Sequence, residues 1–123
     1  MKPDEKRDLL ALFDGEAKWC QGSEARDTHG QPVRYDDATA VAWDLVGGMC
    51  RLFGWRRATQ LFGQLERCIG EQTPVAFGRD EDIAAMAALF DFNDASDTTY
   101  DKIVQALESM PVARGRAGVT QEL

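Results

Sequence analysis

The sequence predicts a mainly α fold: a compact bundle of four to five helices, with one short β-hairpin or ordered loop before a central helix. Three observations predict it. Apolar residues recur at helical spacing through most of the chain. The longest nearly uninterrupted apolar run, Ala38 to Phe53, lies in its middle. The one long interruption, Glu16 to Tyr35, contains Gly22, Gly30 and Pro32, which break any helix.

The central run sets the expected core. Ala38, Val41, Ala42, Leu45, Met49, Leu52 and Phe53 form one helical stripe. Asp36 or Asp37 is the expected cap, and Gly54 the expected stop. Gly47 and Gly48 weaken a helix interior. Their compensation is expected to be close approach by a neighbouring helix or by the loop that carries Trp19. The run is too short to cross a bilayer, which takes about 20 apolar residues.

The other elements follow in order. Pro3 or Asp4 to Asp14 reads as a first helix, with Pro3 and two acids at its start and Gly15 as its stop. Within Glu16–Tyr35, Asp27-Thr28-His29-Gly30 fits a type I turn closed by glycine, so Ala25–Val33 is expected to form a small hairpin or ordered loop. Trp19 and Tyr35 favour packing over disorder. Trp55 to Ile69 reads as a third helix with Trp55, Ala58, Leu61, Phe62, Leu65, Cys68 and Ile69 inward. Gly70–Gly78 reads as a linker. Arg79 to Leu89 is a fourth helix capped near Asp80, with Ile83, Ala84, Met86, Ala87 and Phe90 as its apolar side. The stretch from Asp91 is a turn, Thr98-Thr99-Tyr100-Asp101 resembles a capping box, and a fifth helix runs to Met110 before Pro111. The expected organisation is one helical domain over residues 1–110 and a flexible C-terminal tail over 111–123.

Composition narrows the function. A chain of 123 residues is of single-domain size and can fold without a metal or disulfide. Its net charge of −7 argues against nucleic acid and against an anionic membrane as partners. The same charge suits a basic partner protein. The three cysteines, Cys20, Cys50 and Cys68, form no disulfide framework and no C-x-x-C motif. With a charged N-terminus that does not read as a signal peptide, they point to the reducing cytoplasm.

The charges are uneven. Asp80 to Asp101 carries seven acids and no base, whereas Arg51 to Arg67 carries four arginines and one acid. Two solvated faces explain this most simply; an acidic patch for a basic partner is the sharper explanation.

Candidate chemistry is sparse. His29 is the only histidine, and with Cys20 it cannot make up a zinc site, so no metal or cofactor is expected. Cys20 and His29 share a loop, but no nucleophile signature surrounds them. Asp27 suits an Asx turn, and Arg26 suits an acid partner. Asn93 and Asp94 read as helix-capping and turn residues. Asp37, Asp44 and Arg51 fall on one stripe, expected at the solvent edge. If Asp44 were buried it would need a partner, and Arg26 or Arg51 would be the candidates. There is no G-x-x-x-x-G-K-S/T, G-x-G-x-x-G, G-x-S-x-G or H-E-x-x-H motif.

The pattern Trp19-x-Gln21-Gly22-x-x-Ala25-Arg26-Asp27-x-x-Gly30-x-x-Val33, then Ala40-x-x-Trp43 with Gly47-Gly48, then Phe92-Asn93-Asp94 followed by Thr98 or Thr99, resembles a family of small bacterial and phage proteins catalogued as a domain of unknown function. The resemblance covers about Leu9 to Leu107. That family commonly shows Trp-Cys-x-x-Gly-Ala on the central helix, where this chain has Asp44 and Gly48. The resemblance implies that Trp19, Arg26, Asp27, Gly30, Asn93 and Asp94 belong to one constellation, either a structural knot or the lining of a pocket. His29, on the same turn, joins the candidate ligand- or partner-binding residues. No catalytic residue is singled out.

Two functions are therefore expected in competition. The first is a non-enzymatic protein-interaction or accessory module with an acidic surface. The second is a small-molecule-binding protein or small hydrolase-like enzyme with a pocket around Arg26, Asp27, Asn93 and Asp94. Saturation of those side chains by backbone groups favours the first, and a cavity converging on them favours the second.

Overall fold

This computed structural model describes residues 1–69 and 81–113. Helix α1 spans Pro3–Leu12. Pro3 sits in its first turn, where no N–H is needed, and the Glu5 carboxylate accepts the Lys2 backbone N–H at 2.8 Å. Leu9 and Phe13 carry its apolar face into the core. The chain then turns through Gly15, at φ +119°, into a short 3-10 turn over Glu16–Lys18.

Two short strands follow, β1 at Ala25–Arg26 and β2 at Ala42–Trp43. They pair antiparallel, with Ala25 opposite Trp43 and Arg26 opposite Ala42. The other edge of β1 is also used. An isolated bridge joins Arg26 to Pro32, and Val33 N–H donates to Ala25 O at 3.0 Å. The tight turn at Asp27–Gly30 is thus present, but the longer pairing reaches on to β2.

That pairing corrects the start of the central helix. Helix α2 spans Leu45–Glu66, so the run from Ala38 is not helical until Leu45. Trp43 is held by β1 on one side, and Cys20 N–H donates to Trp43 O at 3.0 Å on the other. An apolar run fits a buried strand as well as a buried helix, and periodicity alone does not separate them. The cap is Asp44, whose Oδ1 accepts Gly47 N–H at 2.6 Å, and not Asp36 or Asp37. Asp36 instead pairs with Arg34 at 3.0 Å, and Asp37 accepts the N–H and hydroxyl of Thr39.

Gly54 breaks α2 at φ +81°, ψ +162°, so residues 45–53 and 55–66 are two helical arms. This matches the expected boundary. The compensation expected for Gly47 and Gly48 is also seen. A Cβ on Gly47 would lie 2.1 Å from Glu24 O, and one on Gly48 2.5 Å from the Phe13 ring.

Helix α3 spans Glu81–Asp94 and packs along α2. It runs past the expected end near Leu89, because no glycine or proline intervenes before Asp94. Asn93 and Asp94 are therefore its last residues rather than a turn. Helix α4 spans Tyr100–Glu108 and is capped by Thr99, whose hydroxyl accepts Lys102 N–H at 3.3 Å. Ala58, Leu61, Phe62 and Leu65 join Ala85, Leu89, Ile103 and Leu107 in one buried cluster, which also includes Met1, Leu9, Phe13 and Met110.

Three large side chains assigned to the core are exposed: Val41 by 41%, Trp55 by 52% and Ile83 by 55%. Each lies on a helical stripe in the sequence, but Val41 precedes the helix, Trp55 follows the Gly54 break, and Ile83 lies in the opening turn of α3. No helix among the described residues is long and apolar enough to cross a membrane. The linker at 70–78, the expected helix start at Arg79 and Asp80, and the tail from 114 lie outside the described residues.

Candidate functional site

The expected constellation is built around Asn93, at the end of α3 and only 1% exposed. Its carboxamide oxygen accepts from the Trp19 indole at 2.8 Å and from Leu45 N–H at 3.1 Å. Its amide nitrogen donates to Cys20 O at 3.0 Å and to Asp94 Oδ1 at 2.9 Å. An asparagine side chain has two acceptor and two donor positions. All four are used. One residue thus ties the Trp19–Cys20 segment, the start of α2 and the end of α3 together.

The neighbours extend the knot. Gln21 donates to Asn93 O at 2.9 Å and to Ala95 O at 3.1 Å. Gly22 N–H donates to Asp94 Oδ1 at 3.0 Å. Arg26 donates to Gln21 O at 3.0 Å and to Gly30 O at 2.9 Å, bracing the turn from the side. Asp27 accepts His29 N–H at 2.8 Å and Gln31 N–H at 3.0 Å, an Asx turn. Trp19, Asn93 and Asp94 are thus brought together, with Arg26 joined to them through Gln21. Asp27 and the exposed His29 lie one step out, in the turn that Arg26 braces. Most of these bonds end on backbone atoms.

Gln21 and the Leu45 N–H were not legible as members of this network. The Gln21-Gly22 pair is the only sequence signal for it, and the spacing does not say where the glutamine amide points.

Asp44 sits at the junction of β2 and α2, 1% exposed, where a solvent edge was expected. Its partner is the Gly47 N–H and not Arg26 or Arg51. Arg51 instead lies over the Trp43 ring at 5.6 Å and donates to Tyr35 O and Asp37 O. Burial pushes the Asp44 carboxyl up to about 7; the Gly47 N–H opposes this, while Asp94 and Glu24 add to it. Burial likewise pushes the Cys20 and Cys50 thiols up to about 11, which disfavours the nucleophilic thiolate. The Cys20 thiol donates to Ser23 O at 3.5 Å.

An open groove of about 540 Å³ lies elsewhere, against α1 and the entry to α2. Asp8, Ala11 and Leu12 line it from α1, Lys18 from the 3-10 turn, Ala40, Val41 and Trp43 from the strand segment, and Leu52 from α2. None of the six candidate residues lines it. The sequence hid this surface because its helical stripe sent Val41 into the core.

These features define a small, mainly α protein whose candidate polar residues are engaged largely with its own backbone and whose open groove is mostly apolar. The chain belongs to DUF6197, a family of unknown function whose model matches residues 7–110. No curated protein and no solved structure matches it.

Proposed function

We propose that this chain is a non-enzymatic protein-interaction module that receives a basic partner on an acidic surface. One observation carries the reading. Asn93, Asp94, Arg26 and Asp27 direct polar atoms at backbone and neighbouring side chains within the chain, while the open groove beside α1 is lined mostly by apolar side chains, with Asp8 and Lys18 among them. Side chains engaged in this way hold a fold together; they are not presented to a substrate. The net charge of −7 supports a basic partner, since long-range attraction speeds encounter.

The experiment is affinity purification of the whole chain from its native cell at low and at high salt, with mass spectrometry of what co-purifies. A basic protein recovered at low salt and lost as salt rises is the expected result. A tightly held metabolite with no accompanying protein would overturn the reading.

A further inference from the structure

We infer that the groove beside α1 is the docking surface for an amphipathic helix of a partner protein, bearing a basic residue for Asp8 and an acidic one for Lys18. This rests on the interaction-module reading and adds to it the surface and the shape of the partner.

The lining sets the first requirement. Ala11 and Ala40 are small, and Leu12, Trp43 and Leu52 complete the apolar part of the lining with Val41. Val41 is 41% exposed, an apolar side chain left in water beside a cavity of about 540 Å³. Burying such a surface favours association, in proportion to the apolar area removed from water.

The backbone sets the second. An added strand needs free N–H and C=O groups along an edge. Along the strand segment that lines this groove, backbone groups are already engaged within the chain. Ala40 N–H donates to Asp37 O at 3.1 Å and Val41 N–H to Arg26 O at 2.8 Å, while Trp43 O accepts from Cys20. Side chains, not an edge, face the occupant. A small-molecule site holds a few convergent polar groups within it. The polar side chains here are Asp8 and Lys18, both exposed. A helix with an apolar stripe flanked by charge fits both facts.

Charge sets the third. Asp4, Asp8 and Ala11 lie on one face of α1, and among the described residues Arg7 pairs with the exposed Asp4 and Asp8, at 3.5 and 3.3 Å. Exposed pairs of this kind exchange readily for another cation. Lys18 has no ion pair among the described residues. A basic residue against Asp8 and an acidic one against Lys18 would fix which way the helix lies, as complementary charges fix register at interfaces.

The test places a photoreactive benzoylphenylalanine at Val41, or at the exposed Ile83 as an off-groove control, in the full chain in its native cell. We expect the Val41 probe to cross-link a partner within a segment that has apolar residues at i, i+3 and i+4 and a basic residue within one turn. A synthetic peptide of that segment should gain helical circular dichroism on binding. Ala11→Trp, which fills the groove from an exposed helix position, should weaken it about tenfold or more. Asp8→Lys should weaken it severalfold, with recovery when the peptide's basic residue is made acidic. Cross-links from Ile83 alone, an extended cross-linked segment, or equal binding to Ala11→Trp would overturn the groove. The same holds for a silent Val41 probe in cells where a partner still co-purifies, and that result leaves the interaction reading standing. If no protein co-purifies at all, both fall.

Discussion

The indole N–H of Trp19 donates to the carboxamide oxygen of Asn93 across 2.8 Å, joining residues 74 positions apart. The same oxygen accepts Leu45 N–H, so the loop before the strands and the first residue of α2 converge on one atom. Asn93→Ala leaves the Trp19 and Leu45 donors and the Cys20 carbonyl without their partner in a buried site. A loss of about 2–4 kcal/mol is expected, since orphaned buried groups carry their full desolvation penalty. Asn93→Asp keeps the acceptor but removes the donor and sets a second carboxylate beside Asp94, so it should also destabilise. Urea midpoints read both; a change near zero for Asn93→Ala would show that the knot holds nothing.

Gly47, Gly48 and Gly63 all lie in α2, yet their alanine variants should differ in sign. A Cβ on Gly47 meets the Glu24 carbonyl at 2.1 Å, a backbone atom that cannot step aside without moving the entry to β1. Gly47→Ala should cost about 3 kcal/mol or leave the chain unfolded. On Gly48 the obstacle is the Phe13 ring at 2.5 Å, a side chain, so a smaller loss is expected. Nothing lies within 4 Å at Gly63. There alanine should stabilise by about 0.5–1 kcal/mol, the helix-propensity difference. Thermal melts of the three variants give the ranking.

These glycines also show what the sequence makes legible. Helical periodicity places the helices, and Gly54 marks the break within α2. Gly47 and Gly48 point to a close neighbour, though not to which one. Where the chain is apolar on every side the sequence is ambiguous. Ala38 to Trp43 satisfies a helical stripe, but its pairing with Ala25–Arg26 is a long-range choice that no local pattern records. The same misreading hides the groove, because Val41 looks like core once a helix is assumed. The motif around Trp19, Arg26 and Asn93 is legible as a constellation. Its hydrogen-bond partners are mostly backbone atoms, which carry no residue identity for a sequence to show.

Tyr100 links the start of α4 to the end of α1. Its hydroxyl donates to Phe13 O and accepts Gly15 N–H at 2.7 Å, closing the turn where the chain leaves α1. Tyr100→Phe keeps the ring and loses both bonds. The expected loss is about 1–2 kcal/mol. Amide exchange at Gly15 should quicken in the variant while exchange in α3 stays as it was; equal quickening everywhere would mean that the bond is not local to this turn.

Asp44 and Glu5 should give stability opposite dependences on pH. The Glu5 carboxyl is held down to about 2, chiefly by its hydrogen bonds to Arg57, with Nε at 2.8 Å. Its contribution is complete above the ordinary value of 4.5 and is lost as pH falls toward 2. Asp44 runs the other way. Burial raises its carboxyl from 3.8 to about 7, so between those values the folded chain binds the proton more strongly than the unfolded chain. Stability therefore falls as pH rises through that window, and the full penalty remains above it. The two together predict greatest stability in mildly acidic solution. Asp44→Asn keeps an oxygen for the Gly47 N–H but has no proton to release. Urea midpoints from pH 4 to 8 should decline for the native chain and flatten for Asp44→Asn. Parallel curves for the two would show that Asp44 is not the group responsible.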